Sequence, residues 1–245
     1  MPSRKHLAAA AVFLLATSLV AGTKPAPKNA TVVDEGTFGI FQNGLRTATE
    51  QFTIQQYATH STTSVTLTAE GKERFEQSCE LTMLPDGTFS HYEWKETAPE
   101  KSTSSVELGD QVLILHSSNE DGKAIKDQQF FLTPATFILD DYFFSTREVL
   151  LWRYLASSCR PASGGMNTCN LARQRVPILV PRQRLSAQVF IEFKGYEDMP
   201  LNGHPEHLRH FVIETDGPEW HLWMNEEQKV LRISIPSANT EILRQ

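Results

Sequence analysis

The chain has 245 residues, and its 29 acidic side chains outnumber its 23 lysines and arginines to give a net charge of −6. This balance argues against nucleic acid as a partner, because affinity for duplex nucleic acid comes mainly from Lys and Arg that meet phosphates. The length suits one sizeable core of the all-β or mixed kind.

The first residues have the pattern of a secretory signal peptide. A short basic start at residues 4–6 precedes an unbroken apolar run from Leu7, and the small residues Ala21 and Gly22 stand where a signal peptidase would cut. The run is too short to span a bilayer, and no stop-transfer pattern follows it. We therefore predict that residues 1–22 are removed and that the mature protein is secreted or periplasmic, soluble and without a transmembrane anchor.

The segment that follows the signal peptide has little to bury. Residues 23–35 contain prolines, lysines and small polar residues, which favours a flexible lead-in. We predict a single β-rich domain over residues 36–245. Removal of the signal peptide takes away two basic residues and no acidic one, so the mature chain has a net charge of −8.

Most of the domain alternates apolar and polar residues and is interrupted by turn residues. The Asn43-Gly44 pair between two alternating runs is a strong hairpin signal. Pro85-Asp86-Gly87 and Asp216-Gly217-Pro218 separate further runs of the same kind. Strands at this spacing predict an antiparallel sheet of about ten strands.

One segment, Ser145–Ala156, has helical rather than strand periodicity. Ser145 and Glu148 match a capping box, in which Ser145 is the N-cap and Glu148 occupies the third helical position. The apolar residues of one helical face are Leu150, Leu151, Tyr154 and Leu155. Because such a helix must bury its apolar face, we predict an α+β fold in which a large curved antiparallel sheet is partly wrapped around one amphipathic helix.

The three cysteines suit an oxidising compartment. Cys159 and Cys169 flank a loop rich in Gly, Ser and Asn, which predicts a disulfide that closes this loop. The alternative is a pair of reduced, partly buried thiols. Cys79 is then unpaired, and its alternating surroundings favour a buried apolar role rather than a nucleophile.

Three features together resemble a group of uncharacterised secreted bacterial proteins built on a large, half-closed antiparallel sheet. These are the aromatic helix region Leu139–Leu151, the closing hairpin Leu222–Pro236 and an opening pattern formed by Gly36, Phe38, Ile40, Gly44, Glu50, Phe52 and Ile54. That sheet is similar to the one in periplasmic carriers of lipoproteins and other acylated molecules. The resemblance implies the fold and apolar-ligand binding, and it supplies no catalytic residues.

Two groups of residues are candidates for a ligand site. Phe143, Phe144 and Trp152 are expected near the mouth of the concave face, where aromatic area can hold an acyl chain. Four arginines flank the VPILVP segment and can receive a carboxylate, a phosphate or an anionic headgroup, namely Arg173, Arg175, Arg182 and Arg184. The alternatives are a solid aromatic core and a solvated strand pair.

Clustered histidines suggest a metal, and His204, His207 and His210 lie close together in the sequence. If the segment around His210 is a strand, however, His207 and His210 point to opposite faces of the sheet. No G-x-S-x-G motif is present, and the carboxylate pairs Asp140-Asp141 and Glu226-Glu227 are typical of turns.

These observations favour an exported, non-enzymatic binding protein for a lipid or another acylated ligand in the cell envelope, without a cofactor. One alternative is an envelope scaffold that docks partner proteins and binds no small ligand. The other is a metal-dependent hydrolase that uses the histidine cluster.

Overall fold

The computed structural model describes residues 30–71, 74–131, 133, 135–140, 143–161, 167–201 and 204–245. The predicted signal peptide lies outside these residues. The described part contains one α-helix, α1 (Ser145–Ser158), and one 3-10 turn, Pro236–Ala238. Its strands are β1 (Thr31–Gln42), β2 (Leu45–Gln56), β3 (Ser61–Ala69), β4 (Glu76–Met83), β5 (Phe89–Ala98), β6 (Ser102–Leu108), β7 (Val112–Ser118), β8 (Ala124–Phe131), β9 (Phe137–Ile138), β10 (Cys159–Pro161), β11 (Asn167–Cys169), β12 (Gln174–Val180), β13 (Leu185–Leu201), β14 (His204–Glu214), β15 (Glu219–Met224), β16 (Val230–Ile235) and β17 (Thr240–Arg244).

The described structure is mostly β and contains one α-helix, which confirms the predicted combination of a large sheet and one helix. Fifteen of the described strands form one sheet in the order β8-β7-β6-β5-β4-β3-β2-β1-β17-β16-β15-β14-β13-β12-β9. All neighbours are antiparallel except β9 and β12. The sheet is open, since no backbone pairing joins the end strands β8 and β9 in the described residues.

The expected number of about ten strands is wrong, because some runs that look continuous in the sequence contain a turn. The segment Ser102–Ser118 is an example: it is two strands, β6 and β7, joined by a tight turn in which the Gly109 amide donates to the Val112 carbonyl. The predicted Asn43-Gly44 hairpin is confirmed. Both residues have positive φ, 51° and 77°, as the favoured two-residue turn between twisted strands requires.

The helix is confirmed, but its predicted capping box is not formed. Phe144 is the N-cap residue and makes no side-chain cap. The orphan amides of Phe144 and Ser145 donate instead to the carboxylate of Glu50 on β2, at 2.6 and 2.8 Å. Glu148 faces β16, where its Oε2 accepts the Val230 amide at 2.7 Å. A distant buried acid thus replaces the local cap, which leaves Glu148 free to contact the sheet.

The core lies between the helix and one face of the sheet, here called the inner face. Phe52, Val65 and Leu81 are examples of inner-face residues at every second position of their strands. From the helix, Tyr154 packs edge-on against Phe211 of β14, with ring centroids 6.0 Å apart. Strands from both halves of the sheet therefore hold the helix.

Two further expectations can be compared with the structure. The Cys159–Cys169 disulfide is confirmed and closes the β10–β11 hairpin, while Cys79 is free and buried. The predicted flexible lead-in extends too far towards the C-terminus, because β1 begins at Thr31 and Asp34 is buried against Arg244.

Among the described helices, none has the length and apolar character needed to span a membrane.

Candidate functional site

An apolar cavity opens beside the N-terminal end of the helix. Its volume is about 720 Å3, and it lies on the inner face at the strand ends of β1–β3 and β15–β17. The apolar residues that line it are Ile40, Ala48, Leu67, Ala69, Phe75, Phe144, Pro218, Trp220, Ile235 and Ala238. Gln42, Thr47, Glu70 and Thr240 supply the polar part of the lining.

Buried cation–π and hydrogen-bond contacts hold the helix side of this cavity. The Phe144 and Trp220 ring centroids are 6.1 Å apart. The guanidinium of Arg147 lies 3.7 Å from the Trp220 ring centroid and donates to the carbonyls of Asp140 and Phe143 at 3.1 and 3.0 Å. Arg147 is buried and contacts both the Trp220 ring and two carbonyls before the helix, so it joins the aromatic wall to the start of the helix.

The predicted aromatic residues do not form one cluster. Phe144 lines the cavity, whereas Phe143 is fully buried in the core. Trp152 is half-buried, and its indole Nε1 donates to the Gln228 carbonyl at 2.6 Å, between the helix and the β15–β16 turn. Eight residues separate Phe144 from Trp152, which is roughly 12 Å along a helix.

The four predicted arginines lie at opposite ends of β12. Arg173 pairs with Glu214 and lies over the Phe190 ring, and Arg175 is exposed. Arg182 and Arg184 lie in the β12–β13 turn, beyond the other end of β12. At the rise per residue of an extended strand, the two pairs of arginines are roughly 20 Å apart. The structure therefore brings together Arg182 with Arg184 but not all four arginines.

Arg182 and Arg184 line a second, more polar pocket of about 460 Å3 against strands β5–β8. Arg182 lies 4.7 Å from the Trp94 ring centroid and donates to Gln77 at 3.0 Å. The Trp94 indole nitrogen is buried without a hydrogen-bond acceptor. The other lining residues are Ser102, Ser104, Ser117, Ser118, Asn119, Glu120, Asp121, Ile125 and Pro181.

Strand register places both pockets at the same end of the sheet. Leu67 in the apolar cavity pairs with Gln77, Gln77 pairs with Glu96, and Glu96 pairs with Ser102 in the polar pocket. Three interstrand spacings of about 4.8 Å separate Leu67 from Ser102, a distance of about 14 Å. The two pockets are therefore close enough to contact one amphipathic molecule.

The three predicted histidines do not converge. His204 and His207 are exposed, and His207 Nδ1 lies 2.7 Å from Asp198 Oδ1. His210 points to the other face of β14, as alternation along a strand requires. Its contacts are Glu197 of β13 and His221 of β15.

Sequence reasoning missed His221 and most of the cavity lining. The Asp216-Gly217-Pro218 turn, which was recognised, implies a β14–β15 hairpin whose register brings His210 and His221 to the same face. Leu67, Trp220 and Ile235 look like ordinary inward-facing strand residues, so no local signal marks them as cavity residues.

A buried ionic network joins β1, the helix and β17. The Arg244 guanidinium donates to both carboxylate oxygens of Asp34, at 2.6 and 2.7 Å, and to Glu148 Oε2 at 3.2 Å. Burial, together with the hydrogen bond to Asp34, raises the pKa of Glu148 to about 9. Hydrogen bonds from Glu148 and Arg244 outweigh burial and lower the pKa of Asp34. Burial also raises the pKa of Glu50 to about 7.

The comparisons with known proteins support the fold. No family model and no curated protein matches the chain. A solved structure, the beta-barrel-like protein of domain of unknown function DUF1849 from Brucella abortus, is similar with a TM-score of 0.53 and 7% sequence identity. The match covers 86% of this chain and 94% of that one. At this identity the similarity shows the fold alone, so the chain shares an uncharacterised bacterial large-sheet fold.

Proposed function

We propose that this protein is an exported, non-enzymatic binding protein for an apolar or acylated ligand. The observation that carries the proposal is the apolar cavity beside Phe144. Its volume falls within the range of about 300–1,000 Å3 that is typical of ligand pockets. A ligand chain that fills it gains about 0.8 kcal/mol for each methylene group removed from water.

The polar pocket at Arg182 and Arg184 is the proposed place for the head of such a ligand. Two acidic residues, Glu120 and Asp121, line the same pocket. Because two positive and two negative side chains balance, a neutral or zwitterionic polar group fits better than a bare anion. The Trp94 ring forms part of the wall of the same pocket. Arg173 and Arg175 lie at the other end of β12 and are not part of this site.

Export and the wrapping of the sheet around the helix belong to the same proposal. The Cys159–Cys169 disulfide is compatible with an oxidising compartment.

Contacts between Arg184 and β8 support the proposed wrapping of the sheet. Arg184 donates to Gln128 Oε1 at 3.1 Å and to the Lys126 carbonyl at 3.0 Å. These contacts bridge the sheet, because β8 lies at one end of it and Arg184 near the other.

A second candidate function, docking of a partner protein, is favoured by the edge strand β8. Its last residue, Phe131, is 95% exposed, and Ile125 is exposed on the same strand. Edge strands with exposed apolar residues offer unpaired backbone groups and apolar area to another chain.

The experiment that separates these functions measures ligand binding directly. Native mass spectrometry of protein purified from its own cell envelope should reveal a bound lipid. In parallel, a fluorescent single-chain fatty acid is titrated into the wild type and into the variants Ala48→Phe and Ala69→Phe. Both substitutions place a phenyl ring in the cavity. Ala156→Phe, on the exposed face of the helix, is the matched control.

We expect both cavity variants to bind the fatty acid at least tenfold more weakly than the wild type, because the added ring occupies the space of the chain. The control should bind as the wild type does, and thermal melts should show that all three variants fold. Equal binding by all variants, or no binding by the wild type, would overturn the proposal and leave the docking function.

A further inference from the structure

The outer face of the sheet, opposite the apolar cavity, holds a pair of imidazole rings. His210 of β14 and His221 of β15 lie diagonally across the strand pair. His210 Nε2 is 3.0 Å from His221 Nδ1. The ring centroids are 5.2 Å apart and the ring planes differ by 26°, so the two nitrogens face each other along the edges of the rings.

His210 has a carboxylate within hydrogen-bond distance of its far nitrogen, and His221 has one nearby but beyond that distance. Glu197 Oε1 lies 2.8 Å from His210 Nδ1, and Glu219 Oε2 lies 3.8 Å from His221 Nε2. Histidines that bind metals typically donate their second ring N–H to a carboxylate, which fixes the tautomer and makes the near nitrogen a better ligand. When His210 Nδ1 donates to Glu197, the 3.0 Å contact is a hydrogen bond from His221 Nδ1 to His210 Nε2. An ion that takes both near nitrogens requires the His221 proton to move to Nε2, on the Glu219 side.

The surroundings hold the first ring in this orientation. The Trp223 ring stacks on His210, with centroids 4.8 Å apart and planes within 9°. Trp223 Nε1 donates to Glu197 Oε2 at 2.8 Å, and Arg232 lies over the other side of the indole at 4.8 Å. His210 therefore cannot turn without breaking this stack. His221 is the more open member, with 26% of its side chain exposed.

We propose that His210 Nε2 and His221 Nδ1 bind one divalent transition-metal ion of the kind that prefers imidazole, such as Cu2+ or Zn2+. Two bonds of about 2.0–2.1 Å at a tetrahedral angle place the nitrogens about 3.3 Å apart, so the rings need to separate by a few tenths of an ångström. They also need to tilt by about 35° within their planes, a movement that keeps the Trp223 ring stacked on His210. No group of three or more His, Cys, Asp or Glu side chains in the described part of the chain is arranged for a metal. The pair thus supplies two ligands, and water fills the other positions.

The test titrates Cu2+ and Zn2+ separately into the full-length mature protein by calorimetry. Cu2+ binding is also followed by tryptophan fluorescence and by electron paramagnetic resonance. His221→Ala removes one ligand at a partly exposed position, and His207→Ala is the control because His207 is exposed and pairs with Asp198. Glu197→Gln tests the supporting carboxylate.

We expect one bound ion per protein, nitrogen hyperfine structure from two imidazoles, and quenching of emission from Trp223 beside the site. His221→Ala should weaken binding at least tenfold, and Glu197→Gln should weaken it to a smaller extent, while His207→Ala should leave it unchanged. A thermal melt establishes that each variant is folded. Wild-type protein that binds neither ion, or a folded His221→Ala variant that binds as tightly as the wild type, would overturn the proposal.

Discussion

At the scale of single residues, the buried contact between Asp34, Glu148 and Arg244 makes the stability of the fold depend on the protonation of its carboxyl groups. The pKa of Glu148 is raised from 4.5 to about 9, so the folded protein holds a proton that the unfolded chain releases. Between these two pH values the native state binds more protons, and the free energy of unfolding therefore falls as the pH rises. The pKa of Asp34 is lowered, so its contribution is lost only in acid, as the pH falls below about 4.

We predict that Glu148→Gln flattens this pH dependence. The amide of glutamine resembles the protonated acid and carries no charge to desolvate at high pH. Urea unfolding between pH 5 and 9 should show a falling midpoint for the wild type and a shallower decline for the variant. A decline below pH 7 should remain, because the pKa of Glu50 is raised to about 7. Exposed Glu226→Gln is the control, and parallel curves for all three proteins would contradict the assignment.

Side-chain roles were less predictable from the sequence than the elements were. Ser145 and Glu148 satisfy a local capping rule, yet the residue that accepts the helix amides is Glu50, 95 positions before Ser145. Local rules carry no information about such a partner. The disulfide was predictable because its two cysteines flank a short loop of turn residues.

At the scale of elements, the first turn of the helix depends on Glu50. Its fully buried carboxylate accepts the Phe144 and Ser145 amides inside the core. Each buried donor that loses its acceptor costs about 1–3 kcal/mol. The contact between α1 and β2 is therefore one of the points that hold the helix, and the one that fixes its first turn.

Glu50→Ala is expected to lower the free energy of unfolding by about 2–6 kcal/mol, because two buried amides lose their acceptor. Urea unfolding measures this effect. Glu80→Ala is the control, since Glu80 is exposed on β4. A change of similar size in both variants would mean that Glu50 does not hold the helix.

The elements themselves followed from periodicity, and the limits of periodicity explain the errors. The helix was recognised from the spacing of Leu150, Leu151 and Tyr154, and it extends only two residues beyond the predicted end. The run Val106–Leu115 looks like one continuous strand in the sequence, because the turn at Gly109 is too short to interrupt the alternation clearly. The strand order and the cavity depend on contacts between distant segments, which alternation along one segment does not reveal.

At the scale of the whole molecule, side chains link the edge strand β8 to the far part of the open sheet. Gln128 accepts from Arg184 Nε at 3.1 Å, and its own amide donates to the Arg184 carbonyl at 3.3 Å. On its other side β8 pairs only with β7. This edge is therefore held by one backbone ladder, by the Gln128–Arg184 link, by the Arg184 hydrogen bond to the Lys126 carbonyl and by the His116–Asp127 ion pair.

We predict that Gln128→Ala accelerates amide hydrogen exchange in β8 more than in the central strands. Loss of the link leaves the edge strand free to open locally without unfolding of the sheet. Gln129→Ala is the matched control, because the neighbouring side chain is exposed on the same strand. Equal exchange in the two variants would show that the contact with Arg184 does not hold the edge.

The pairing of β1 with β17 has a consequence for the order in which the protein is assembled. Ile40 pairs with Ile242, so the first and last strands of the described chain meet in the middle of the sheet. Most strands on either side of the β1–β17 pair can form from successive hairpins. The β1–β17 pair itself cannot form until β17 has been synthesised. Until then, β1 and β16 present unpaired edges that can template aggregation. The chain is therefore most exposed to aggregation in the period before Thr240–Arg244 emerges.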